Sequence, residues 1–177
     1  MAMAHPKPRR PQPMGEPLRM ASTVPVPGER QRAYLLPGQL HVSGDPCQIR
    51  TILGSCVAIC LWDSRLRVGG MNHFLLPVSS EGHSSTRFAN VATKELLEKL
   101  QALGCRLPRL QAKIFGGSSM FQKQDRHAVS LGAQNVNAAL GLMQDAGIPV
   151  IVQETGGTYG RKIMLNTDDG VVWCQRI

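Results

Sequence analysis

Two side chains carry most of the chemical interest. Cys56 lies in "TILGSCVAIC" (51–60) and His73 in "VGGMNHFLLP" (68–77). A cysteine nucleophile needs thiolate character, some exposure and a nearby base. Gly54 and Ser55 permit a tight turn just before Cys56, and the N–H groups of such a turn can hold an oxyanion. A free cysteine is otherwise a small buried hydrophobe. Cys60 and Cys174 fit that role inside apolar strand patterns, while Cys47 and Cys105, beside Pro46 and Gly104, read as loop thiols. Spacing alone leaves Cys56 open between nucleophile and core thiol.

The other histidines are His5, His41, His83 and His127. His5 falls in a proline-rich tail, His83 in a Gly/Ser loop and His127 in a charged connector. His73 sits inside an apolar run, where a polar ring requires a partner. If 57–63 and 68–74 form an antiparallel hairpin around "SRLR", residues near 56 and 73 meet at its open end. Cys56 and His73 then come within reach of one another. A third group would orient the imidazole. Thr51 is the nearest upstream hydroxyl, and Ser55, Asn72 and Ser118 are alternatives. Asp168 and Asp169 occupy a turn signal and read as solvated. "FGGSSMF" (115–121) and "TGG" (155–157) are glycine turns after strands, suited to close backbone approach at a site. The G-x-x-x-x-G-K-[ST] phosphate cradle is absent.

The elements that must position these residues follow from hydrophobic period. Strands are expected at 39–44, 48–53, 57–63, 68–77, 110–117 and 149–157, and in a last hairpin of 161–166 with 171–177 around "TDDG". A helix is expected over about 86–103, with Ala89, Ala92, Leu96, Leu100 and Leu103 on one face and Gly104 as its stop. A second is expected over about 132–146, striped by Ala133, Val136, Leu140 and Met143 and ended by Gly147. Strands alternating with helices and hairpins indicate an α/β or α+β class, two main helices packing on mixed β-sheets. Residues 1–33 carry proline at 6, 8, 11, 13, 17, 25 and 27, and read as a disordered basic tail ahead of a single domain at 34–177.

Composition limits the partners. The net charge of +8 suits an acidic partner, but the cations are scattered and only 5% of residues are aromatic, which argues against nucleic-acid binding. Five cysteines without C-x-x-C spacing argue against a disulfide framework or structural zinc, and for reduced thiols in a cytoplasm. The N-terminus has no apolar segment of a secretory signal, and no run approaches a membrane span.

Taken in order, "TILGSCVAICLWD", "VGGMNHFLLP", "AKIFGGSSMF", "LGAQNV" and "ETGG" resemble the CheD family of chemoreceptor glutamine deamidases over roughly residues 35–176. The resemblance implies an α/β sandwich similar to bacterial toxin deamidases. It implies a Cys-His-Thr catalytic set, mapping onto Cys56, His73 and Thr51, that converts receptor glutamines to glutamate through a thioester without metal or cofactor. In some members the hydroxyl lies where Arg50 stands here, one place before Thr51. In a regular strand that shift exposes the opposite face, so a bulge near Gly54 is expected to restore it. The Cys-His pair rests either as neutral groups or as an ion pair. Implied partners are cytoplasmic regions of methyl-accepting chemoreceptors and, in some systems, a CheC-type phosphatase. The implied location is cytoplasmic. Alternatives are a thiol hydrolase or methylesterase acting on another protein, and a non-catalytic regulatory binding module.

Overall fold

The computed structural model describes residues 30–79, 84–119 and 129–177. The expected disorder of the proline-rich tail concerns residues that, like His5, His83 and His127, lie outside the described ones. The strands are β1 (Gln31–Tyr34), β2 (Leu40–Ser43), β3 (Cys47–Leu53), β4 (Val57–Asp63), β5 (Val68–Asn72), β6 (Leu110–Gly116), β7 (Val150–Thr155), β8 (Arg161–Asn166) and β9 (Val172–Arg176). The helices are α1 (Ala89–Ala102) and α2 (Leu131–Asp145).

Burial along β4 explains the architecture. The run VAICLWD is buried at every position but Trp62, as for a strand covered on both faces. Val57, Ile59 and Leu61 pack with Phe74 against α1 (Ala92, Leu96, Leu100) and α2 (Val136, Ala139, Met143). The intervening Ala58 and Cys60 face Ile49, Leu53, Ile163 and Leu165 of a second sheet. The central sheet has the order β2-β5-β4-β6-β7, and the second β1-β3-β8-β9. Two mixed sheets are thus stacked, with both helices on the outer face of the larger one. This is the expected α+β class.

The β4–β5 and β8–β9 hairpins form where expected. Other details differ. The boundary expected at residue 33/34 cuts through β1, which pairs parallel with β3 from Gln31↔Cys47 to Tyr34↔Arg50. Leu103, expected on the buried stripe, caps α1 and is exposed. On α2 the buried face is Gly132, Asn135, Val136, Ala139 and Met143, rotated from the apolar stripe because Asn135 turns inward to reach backbone carbonyls. Cys47 and Cys105 are buried rather than loop thiols, because one enters the inter-sheet core and the other packs beneath α1. Cys174 is exposed rather than core, because β9 is a sheet edge. Asp168 is not simply solvated, since the Arg30 guanidinium grips it with two bonds of 2.9 Å, which lowers its carboxyl pKa. Among the described residues, no helix is long and apolar enough to cross a membrane.

Candidate active site

At the open end of the β4–β5 hairpin, Val57 and Phe74 exchange two backbone bonds (3.1 and 3.0 Å). Continuing that register puts His73 opposite Ala58, with Cys56 two residues further along the same face. Side chains in such a diagonal relation are within about 7–8 Å. Cys56 also packs against the inter-sheet core that Ala58 helps to form. His73 is held on its other edge by the segment before β2: its N–H donates to Gln39 O (2.9 Å) and its carbonyl accepts from Gly38 N–H (2.7 Å).

The third residue comes from the opposite sheet. On β3, Ile49, Thr51 and Leu53 point inward, and pairing with β8 runs unbroken from Gln48↔Asn166 to Leu53↔Arg161. The Thr51 hydroxyl donates to Leu35 O (2.8 Å), and Thr51 Oγ1 lies 2.8 Å from His73 Nδ1. A hydroxyl has one hydrogen to give. With that hydrogen on Leu35, Oγ1 accepts from Nδ1–H, so the ring is assigned the Nδ1–H tautomer and the lone pair falls on Nε2. Nε2 is buried and makes no hydrogen bond among the described residues. The expected bulge near Gly54 is not what orients Thr51. The chain crosses from one sheet to the other at Gly54–Ser55, so Thr51 and Cys56 do not share a strand register.

The turn carrying Cys56 is fastened from several sides. Ser118 N–H donates to Gly54 O (2.9 Å) and Gly117 N–H to Cys56 O (2.8 Å). The Asn135 side-chain amide donates to Ser55 O (3.0 Å) and Leu75 O (2.8 Å). Gly116 and Gly117 hold φ of +107° and +68°. A Cβ at Gly116 would collide with the Cys56 carbonyl, and one at Gly117 with the Val136 side chain, so both positions require glycine. This is the close backbone approach expected of "FGGSS". The second glycine turn joins it, Gly156 N–H donating to Gly116 O and Ser119 N–H to Gly157 O (both 2.9 Å). Buried Arg161 braces that turn through Gly156 O (2.8 Å). Between these segments lies a cavity of about 680 Å³, walled by Cys56, Ile52, Leu53, Leu131 and Ile177 among others.

Burial dominates the electrostatics. It pushes the His73 pKa down to about 4, with only the Leu35 carbonyl opposing. It pushes the Cys56 thiol up, opposed by the residue's own amide N–H. Both shifts disfavour charge, so the resting pair is neutral thiol and neutral imidazole. Cys60 is pushed up to about 12 by burial and is inert.

Thr51 and His73 are therefore in direct contact, Cys56 lies on the same face by strand register, and none of the alternative orienting groups hydrogen-bonds the ring among the described residues. Asn72 faces the helices, its Oδ1 accepting from Ile59 N–H (2.9 Å). Ser55 is exposed, and the Ser118 hydroxyl, beside the cavity, is buried with no hydrogen-bonding partner among the described residues. Asn135 was not anticipated. It is the polar member of an otherwise apolar inward face of α2.

The family model described as CheD chemotactic sensory transduction matches residues 75–176. The chain is 45% identical to the "Probable chemoreceptor glutamine deamidase CheD 1" of Anaeromyxobacter dehalogenans, over 89% of this chain and 91% of that protein. It is 41% identical to a protein of Trichlorobacter lovleyi (80% and 88% covered) and 37% identical to one of Rhodospirillum rubrum (89% and 86%), both named "Probable chemoreceptor glutamine deamidase CheD".

Proposed function

The chain belongs to the CheD family, and from that premise we propose that it is a protein-glutamine deamidase acting on chemoreceptor glutamines through a Cys56 thioester. The observation that carries this reading is the state of His73. Thr51 occupies its Nδ1, and its free Nε2 lone pair faces the same side of the sheet as the cavity-lining Cys56.

The steps follow from those groups. His73 Nε2 takes the thiol proton as Cys56 Sγ attacks the side-chain carbonyl carbon of a substrate glutamine. The developing imidazolium keeps its Nδ1–H on Thr51 Oγ1, whose own hydrogen is committed to Leu35 O. The Cys56 amide N–H, which favours negative charge at this residue, serves in this reading as a donor to the oxyanion. The tetrahedral intermediate collapses with loss of ammonia, which leaves with the proton from His73. Water, deprotonated by Nε2, then attacks the γ-glutamyl thioester and releases glutamate and the free thiol. The net reaction is amide plus water to carboxylic acid plus ammonia, and it changes the charge of the receptor.

The test is incubation with chemoreceptor cytoplasmic fragments and mass-spectrometric detection of amide-to-acid conversion. Conversion by the wild type, abolished in Cys56→Ala and His73→Ala, is the expected result. Conversion that survives Cys56→Ala would falsify the nucleophile assignment.

A further inference from the structure

We infer that Asn135 is a positioning residue that sets the separation of the Cys56 thiol and the His73 imidazole; the inference rests on the deamidase reading above. Its single Nδ2 bonds two carbonyls from two different elements. One belongs to Ser55, the residue before Cys56, and the other to Leu75, two residues after His73.

The clamp sits where the backbone ladder fails. Pairing of β4 with the following chain ends at Val57 and Phe74. Beyond that pair the strand turns away, and the Leu75 and Leu76 amides both donate to Arg87 O (2.9 and 3.0 Å). In an antiparallel ladder bonded pairs alternate, so the next rung of this register would join Ser55 and Leu76, and no such bond is present among the described residues. The Asn135 amide closes the gap and replaces the missing rung.

Packing of α2 does not call for this residue. Val136, Ala139 and Met143 anchor the helix, and Ser130 caps its N-terminus by accepting from Ala133 N–H (3.1 Å). Asn135 is 0% exposed and its Oδ1 is buried without a hydrogen bond among the described residues. An apolar side chain there would leave no such orphan. What it could not do is donate to two carbonyls at once.

The test compares wild type, Asn135→Asp, Asn135→Ser and Met143→Ala. Aspartate keeps the shape but turns an oxygen toward both carbonyls. Serine, too short to span them, serves if the aspartate variant does not fold. Met143→Ala removes a buried side chain of the same helix away from the clamp. Two quantities are read: kcat and KM on a receptor fragment, and iodoacetamide labelling of Cys56 relative to exposed Cys174 in the same sample. In the Asn135 variants kcat falls about 10²-fold with KM nearly unchanged, the cost of displacing a reacting group by about 1 Å. The Cys56 to Cys174 labelling ratio falls with it, while Met143→Ala keeps both quantities. The inference is overturned if a folded Asn135 variant keeps kcat and the labelling ratio, if KM rises while kcat holds, or if Met143→Ala reproduces the loss. Failure of the wild type to deamidate any receptor fragment would sink the functional reading, whereas the labelling ratio still decides the role of Asn135.

Discussion

Replacing Thr51 by valine removes one hydroxyl and preserves the side chain's shape, so its consequences can be worked from two hydrogen bonds. Thr51 Oγ1 lies 2.8 Å from His73 Nδ1 and donates over 2.8 Å to Leu35 O. The variant leaves a buried N–H and a buried carbonyl without this partner, at about 1–3 kcal/mol each. The carbonyl lies near the imidazole and can recover part of one bond if the ring shifts. A net loss of about 2–4 kcal/mol follows, or roughly 4–16 °C in Tm for a domain of this size. The effect on rate is separate. Losing the acceptor at Nδ1 costs the Nδ1–H tautomer about 0.5–1.5 kcal/mol, hence about 2- to 13-fold in base-competent histidine. Freedom of the ring to rotate adds to this, so kcat should fall about 10- to 100-fold. That is less than the ~10⁴ lost when a carboxylate orienting group is replaced, because a hydroxyl is the weaker acceptor. Deamidation of a receptor fragment gives the rate, and nitrogen NMR of His73 gives the tautomer. Thr51→Ser should restore both. A folded Thr51→Val protein with unchanged kcat and a wholly Nδ1-protonated ring would refute the reasoning.

The remaining predictions concern charge, access and backbone. His73 is lowered from 6.5 to about 4, so the unfolded chain binds a proton that the folded one refuses between those values. Stability is therefore complete above pH 6.5 and falls by up to about 3 kcal/mol on acidification toward 4, visible in denaturant titrations at successive pH and diminished in His73→Gln. Because the resting thiol is neutral, Cys56 labelling should rise with pH along a curve centred above the ~8.5 of a free cysteine; a midpoint below that value would indicate an ion pair instead. In the native protein Cys56 and Cys174 should label, while buried Cys47, Cys60 and Cys105 label only after denaturation, as peptide mapping will show. Gly117→Ala should lose more than about 2 kcal/mol in thermal or chemical melts, since it adds left-handed strain of about 1–2 kcal/mol to a collision with Val136.

Features of short range were legible in the chain. The β4–β5 hairpin joins neighbouring segments, so its loop length and apolar pattern imply that Cys56 and His73 meet at the open end. The stripe of α1 and the glycine requirement at 116–117 are equally local. Asn135 was hidden because hydrophobic period says where apolar side chains point, not where a polar one will find a carbonyl. Cys47, Cys105 and Cys174 were misread for a related reason: burial depends on which layer covers a segment, and strand pattern does not report whether a strand is an edge.

The hairpin that carries Cys56 and His73 and the family to which the chain belongs were thus legible in the sequence itself, because the one rests on local pairing and the other on ordered motifs. The orientation of the base was decided only by the tertiary structure. Thr51 belongs to one sheet and His73 directly follows β5 of the other, and the 2.8 Å between them exists because the two sheets stack face to face. No spacing along a chain can specify that contact, since it is set by the packing of Ile49, Leu53, Ala58 and Met71 around it.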